Sequence, residues 1–384
     1  MATATMANSM SNPATAPAGN AIETAHEDMI HDAQLDYYGK RLATCSSDRT
    51  VRVFNVVDGK ASGEGVVLKG HTGPVWQVAW GHPSFGTILA SCSYDSRVYV
   101  WKEKEPASGG AGYGAGRGTT HGHPAEWEKI KEHAGHSASV NSIAWAPYEL
   151  GAILACASSD GNVSVLQFKN DGSADGEKFQ AHAIGVNAVS WSPANLPGSL
   201  SSNGPAAAAS AGGKQIATVQ GENGMRYQKR LATGGCDPVV RIWSYRCVVS
   251  VVKAHANVAS ADGLYRDNES KPELEEELHG HADWVRDVAW APNIGLPGEY
   301  IATASQDRTV LIHYRPNTST PWSSIPLRPN GADQPPQFPD TVWRVSWSLA
   351  GNILAVSCGD GKVTLWKEVL GGGKGWEMVN EMSS

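Results

Sequence analysis

With 384 residues, 41% of them hydrophobic, the chain can bury the core of one large domain or two ordinary ones. A net charge of −7, from 31 basic and 38 acidic residues, argues against a phosphate-binding surface and so against direct binding of nucleic acid. Six cysteines without a CxxC pair read as small buried residues in a reducing compartment. No apolar run approaches the roughly 20 residues of a membrane span, and no basic flank with an apolar stretch marks a signal peptide.

Residues 1–21 carry no periodicity and are expected to be a disordered tail. From His26 onward a pattern recurs. A histidine stands at His26, His71, His136, His182 and His281, with Phe338 in its place in the sixth copy. Four residues later come Ile30, Val75, Val140, Val186, Val285 and Val342, and five further on Leu35, Trp80, Trp145, Trp191, Trp290 and Trp347. An aspartate follows at Asp48, Asp95, Asp160, Asp237, Asp307 and Asp360, and six residues on stand Phe54, Trp101, Leu166, Trp243, His313 and Trp366. Six copies, two of them spaced by 45 and 46 residues, match the period of a four-stranded propeller blade, about 40–45 residues. The pattern resembles that of WD-repeat proteins, although no Trp-Asp dipeptide occurs.

Each copy holds an imidazole, a hydroxyl, a carboxylate and an indole that can satisfy one another only when brought together, because a buried polar group left unbonded costs about 1–3 kcal/mol. The candidate sets are His26, Thr44 and Asp48; His71, Ser91, Asp95 and Trp101; His136 and Asp160, with Cys156 for the hydroxyl; His182, Thr233, Asp237 and Trp243; His281, Thr303 and Asp307; and Asp360 with Trp366. The expected architecture is an all-β, six-bladed propeller over residues 22–380, with blades near 26–69, 70–131, 132–180, 181–278, 279–333 and 334–380. Flexible loops are expected at 105–124, 194–228 and 246–272. The outer strand of the fourth blade is left open between 248–252 and 274–278.

Other motifs dissolve into this frame. His26 and His31 are five residues apart, so they would not share a helix face as zinc ligands. Gly110, Gly112 and Ala115 form a loose dinucleotide fingerprint that opens no helix. No nucleophile elbow, phosphate loop or metal set is found, so neither catalysis nor a cofactor is expected. The regular pattern begins at His26, read as already within the first strand, and Trp376–Val379 is read as the last. Each blade then owns four consecutive strands, and the ring has a seam between its ends. Exposed sheet edges there invite a strand from another chain.

The wording of DYYGKRLATCSSDRTV, GPVWQVAW, ASVNSIAWAP, DWVRDVAW and WRVSWSLAGNILAVSCGDGKVTLWKE is similar to the Sec-thirteen family of propellers, over all six blades. The chain departs from it after Trp101, at 194–228 and at 247–260. The resemblance implies an open propeller completed by a partner's seventh blade. It implies a Sec-thirty-one-type chain as partner in the COPII coat, an α-helical nucleoporin in the nuclear pore Y-shaped complex, and SEA complex subunits at the vacuolar membrane. Membrane association would come only through those partners, at the endoplasmic reticulum, COPII vesicles and the pore. By resemblance the partner's blade lies against Ala33, Leu35 and Tyr37 and against Trp376 and Val379. A ubiquitin-ligase receptor is the alternative. It would need Asp after the blade tryptophans, where Lys102, Ser244 and Lys367 stand.

Overall fold

The computed structural model describes residues 22–104, 126–169, 172–197, 219–220, 226–245, 271–295, 297–331, 333–369 and 375–383. The expected tail and most of the three expected loops lie outside these residues.

Six antiparallel four-stranded sheets follow one another along the chain. The first holds β1 (Ile30–Leu35), β2 (Arg41–Ser46), β3 (Val51–Val57) and β4 (Lys60–Leu68). The second holds β5 (Val75–Trp80), β6 (Ile88–Ser93), β7 (Val98–Glu103) and β8 (Trp127–His133). The third holds β9 (Val140–Trp145), β10 (Ile153–Ser158), β11 (Asn162–Phe168) and β12 (Ala174–Gln180). In the fourth, β13 (Val186–Trp191) pairs with β16 (Arg230–Gly235), followed by β17 (Asp237–Ser244) and β18 (Glu273–Leu278), while β14 (Val219–Gln220) and β15 (Arg226–Tyr227) make a separate ribbon. The fifth holds β19 (Val285–Trp290), β20 (Glu299–Ser305), β21 (Val310–Arg315) and β22 (Ser323–Pro326). The sixth holds β23 (Val342–Trp347), β24 (Ile353–Cys358), β25 (Lys362–Glu368) and β26 (Trp376–Ser383).

Three expectations change in detail. His26 lies ahead of β1 in irregular chain, not within the strand, because its ring is held by the turn after β2 rather than by a neighbouring strand. The segment 274–278 falls in β18, the outer strand of the fourth blade, whereas 248–252 lies outside the described residues. The last strand extends beyond residue 380 to Ser383, and Val363 of β25 pairs with Met382.

The inner strands, the first of each sheet, share one sequence device. Each carries a β-bulge immediately after its leading Val or Ile, shown by register shifts at Ile30/Asp32, Val75/Gln77, Ala157/Ser158, Val186/Ala188, Val285/Asp287 and Val342/Arg344. A bulge tightens the local twist and re-aims one side chain. The apolar residues on either side alternate, so one set packs on the preceding sheet and the other on the following one.

That packing yields five hydrophobic clusters for six sheets. They lie between sheets one and two, two and three, three and four, four and five, and five and six. The inner strands pack in the order β1, β5, β9, β13, β19 and β23, and β23 does not pack on β1 in the same way. Among the described residues no strand is shared between the first and last sheets.

In blade four the glycine pair that closes β16 is sterically required. A Cβ on Gly235 would sit 2.3 Å from the Gly185 carbonyl oxygen and 2.8 Å from His182 Nδ1. Gly235→Ala is therefore expected to destabilise the fold by about 1–3 kcal/mol through overpacking, read as a lowered midpoint in urea. An unchanged midpoint would show that this turn yields freely.

Candidate functional site: polar knots, inter-blade clasps and an unfilled seam

The polar knots have the following geometry. In blade two His71 bonds Asp95 at 3.0 Å and Ser91 Oγ at 2.9 Å, and Trp101 Nε1 donates to the same Ser91 Oγ at 2.9 Å. Blade four repeats it, with His182 to Asp237 at 3.0 Å and Thr233 at 3.0 Å, and Trp243 Nε1 to Thr233 at 3.0 Å. In blade one His26 meets Asp48 at 2.7 Å and Thr44 at 2.9 Å, and buried Phe54 replaces the indole. In blade three His136 bonds Asp160, at 3.1 Å, but its Nε2 is buried without a partner, because Cys156 stands where a hydroxyl would accept. Blade five substitutes an imidazole for the indole. Thr303 Oγ1 lies 2.7 Å from His281 Nε2 and 3.1 Å from His313 Nε2, and His313 Nδ1 reaches Ser324 on β22 at 2.8 Å.

Blade six departs from the set. Phe338 and Val356 fill the imidazole and hydroxyl positions with apolar groups. Asp360 is exposed and caps only its own turn, accepting from the Lys362 N–H at 3.1 Å, and the Trp366 indole donates to Thr364 at 2.8 Å instead. Asp360 and Trp366 therefore do not belong to one knot.

The knots explain the ionisation of their members. Burial disfavours a charged Asp95, but hydrogen bonds from His71 and the Thr72 N–H outweigh it and bring its pKa down to about 2. Asp48 and Asp160 are likewise held at about 2. His313 is pushed down to about 3 by burial, with His281 adding repulsion. None of these groups faces a reaction site: every knot histidine and hydroxyl is committed to the fold. His31, the other half of the metal-like spacing, bonds Ser47 Oγ at 2.7 Å.

Three further series of contacts clasp each blade to the next. In the first, the indole closing an inner strand donates to the preceding blade's backbone. Trp80 reaches Gln34 O at 2.9 Å, and Trp145, Trp191 and Trp347 reach Ala79, Ala144 and Ala289 oxygens at 3.0 Å. Trp290 is buried with Nε1 unbonded, and its N–H takes Ser190 Oγ at 2.9 Å. In the second, a side chain accepts from the next blade's inner strand: Asp32 from Val78 N–H, Gln77 from Ile143, Ser142 from Val189 and Asp287 from Val345. In the third, the bulge residue reaches forward. His31 packs on Trp76, Trp76 donates to Ser139, Asn141 to Val186 O, Asn187 to Val285 O, and Arg286 lies over Trp343.

All three series stop at the same place. Where an indole should reach back from blade one stands Leu35, 57% exposed. Where blade six should offer an acceptor stands Arg344, which has only donors. The last bulge residue, Trp343, is 48% exposed. Arg344 still links the ends near the axis: it interacts with Asp32 and Asp287, and its guanidinium lies 3.5 Å from Trp76 O.

Burial records the same gap. In β6, β10 and β16 every residue is buried, whereas β24 alternates, with Leu354, Val356 and Cys358 inside and Ile353, Ala355 and Ser357 only half-covered. The half-covered set faces away from blade five, as Val363 and Leu365 of β25 do. Ala33 and Leu35 lie opposite Thr44 and Leu42, which places them on the seam side of blade one, and Tyr37 is exposed just beyond. Trp376 does not face the seam. It packs on Tyr300 and Trp347 in the interface with blade five, because its register partner Glu368 shares a face with Trp366. Val379 is half exposed beside the β26 bulge. Ile353, Ala355, Ser357 and Arg344 were missed by reading the sequence, although Arg344 breaks a column otherwise made of Asp32, Gln77, Ser142, Ala188 and Asp287.

The family described as WD domain, G-beta repeat matches residues 19–55, 64–102, 127–165, 272–313 and 336–367. Its matches skip blade four, which is a complete sheet here. A protein of Cryptococcus neoformans var. neoformans serotype D, "Protein transport protein SEC13", is 58% identical over 94% of this chain and 97% of its own. One of the same name in Mycosarcoma maydis is 54% identical over 94% of each. "Protein SEC13 homolog" of Drosophila melanogaster is 45% identical over 90% of this chain and 80% of its own.

Two outcomes test the knots. His71→Ala should cost about 1–3 kcal/mol of stability, while Asp360→Asn should change it by less than about 0.5 kcal/mol; equal effects would refute the distinction. His313 titrates near 3 folded and near 6.5 unfolded, so the unfolded chain binds more protons between those values. Stability should fall as pH drops from about 6.5 toward 3, and His313→Phe should flatten that slope in urea titrations at each pH. An unaltered slope would contradict the assignment.

Proposed function

The chain belongs to the SEC13 family of WD40-repeat propellers, and from that membership we propose that it is a non-enzymatic scaffold subunit in protein transport. Its place is the COPII vesicle coat between endoplasmic reticulum and Golgi, with further places in the nuclear pore Y-shaped complex and the SEA complex. The partners are elongated chains, a Sec-thirty-one-type coat protein or an α-helical nucleoporin, each giving one blade to the ring. Membranes are reached through those partners.

The observation that carries this reading is the half-covered face of Ile353, Ala355 and Ser357, opposite exposed Leu35. Every other central strand of the ring lies under a neighbouring sheet. A donated sheet would bury the β24 face as β6 is buried in blade two. It would also offer its own indole to Ser346 O and its own acceptor to blade one, restoring the clasps that Leu35 and Arg344 interrupt. Nothing in the arrangement calls for a cofactor, since its polar residues are spent on structure.

Adding the partner's blade at a hundred times its Kd should stabilise the chain by about 2.7 kcal/mol. Ala355→Arg should leave the free chain's stability within about 0.5 kcal/mol of the parent yet prevent co-purification of the partner from cells. No gain from the blade, or equal recovery with Ala355→Arg, would count against the proposal.

A further inference from the structure

The bulge residues ring one end of the central axis, and at blades five and six that ring holds a cation with no counter-charge. Arg286 is the bulge residue of β19, and its guanidinium lies 5.1 Å from the Trp284 ring and 4.8 Å from the Trp343 ring. Both indoles are exposed, by 42% and 48%. Its one hydrogen-bond partner is Gln306 Oε1, in the turn after β20, and its Nε is buried unbonded. Arg41, Arg230, Arg241 and Arg315 each face a carboxylate, whereas among the described residues none pairs with Arg286. Asp283 acts on it only at longer range and is engaged by the Trp284 N–H.

A partly buried guanidinium without an anion is costly, because its desolvation is repaid only by a partner charge with good geometry. The two indoles make a low-dielectric slot in which such a pair is strengthened. Evenly solvated arginines gain little from an anion; this one is placed to gain much.

We propose that Arg286, walled by Trp284 and Trp343, binds the carboxylate side chain of an acidic peptide segment at this end of the axis. The site holds one cation, on a chain of net charge −7 and with Asp283 and Asp340 nearby. That setting suits a single carboxylate on a narrow segment and repels an extended anionic surface. The apolar walls favour leucine or an aromatic residue beside the acid.

A fluorescein-labelled peptide alternating glutamate and leucine, blocked at both ends, is titrated with the full chain, and anisotropy is followed at several salt concentrations. Saturable, salt-sensitive binding is expected, weakened about ten- to a hundredfold by Arg286→Met and unchanged by Arg97→Met, whose arginine lies on another blade. A glutamine–leucine peptide should bind at least tenfold more weakly. Gln306→Glu supplies the missing charge internally, so it should abolish binding while raising the melting temperature, and it keeps the test open if Arg286→Met does not fold. Equal binding by Arg286→Met or Gln306→Glu, equal affinity for the glutamine peptide, or capture of phosphoserine peptides or phosphatidylserine vesicles in place of the glutamate peptide would each overturn the proposal.

Discussion

A β-sheet with two apolar faces must bury both, and in this ring each face is buried only by the sheet beside it. Burial of apolar area is the dominant favourable term, roughly 25 cal/mol per Å², so each inter-sheet cluster matters more than any single knot. Six sheets with five clusters between them leave two faces without a neighbour. Blade one protects its outward face partly with Phe54 and the His26–Thr44–Asp48 knot, which cover its middle from within. Blade six has no knot, and its outward face rests on small and medium side chains, Ala355, Ser357 and Val363. The two ends are thus unlike: one capped by its own polar network, the other flat and receptive.

The clasps give the ring direction. Each inner strand receives an indole bond from the blade after it and accepts that blade's N–H through a side chain. Such a chain of contacts has a first and a last member unless it closes. Here it does not close, and the substitutions responsible are single residues, Leu35 for tryptophan and Arg344 for an acceptor. Arg344 offsets part of the gap electrostatically, sitting between Asp32 and Asp287. Burial lifts Asp287 to about 6 even as Arg344 pulls it down, so the axis holds a compact set of charges beside the seam.

Much of the fold was legible because its repeat is written in residue types that have few other uses. The His71, Ser91, Asp95 and Trp101 spacing specified which loop meets which turn, and those atoms do meet. Phe338 in the sixth copy was visible too, but its consequence was not. Removing the imidazole also frees Asp360, and Trp366 then turns to Thr364, a choice between neighbouring hydroxyls that spacing cannot express. Trp376 was misplaced for a similar reason. A strand's facing depends on its register, and a bulge between Leu365 and Trp366 reverses the parity that counting would give. The outer strand of blade four was ambiguous because both candidate segments lie after a long insertion, where period no longer constrains position. The seam was inferred from strand counting alone; the residues that make it chemically distinct appear only when columns of equivalent positions are compared across blades.

The central claim is that one face of blade six is uncovered until a partner arrives. Ser357 occupies on β24 the position that Cys92 holds on β6 and Cys45 on β2, both of them fully buried. A Ser357→Cys chain therefore carries its own reference thiols. Maleimide labelling of the native chain, read site by site by mass spectrometry, should modify residue 357 at least about a hundredfold faster than Cys92 or Cys45, since burial also raises the reference thiols' pKa. A donated blade should slow it to their rate. Labelling at 357 as slow as at Cys92 in the free chain would mean the face is already covered, and the account would be wrong.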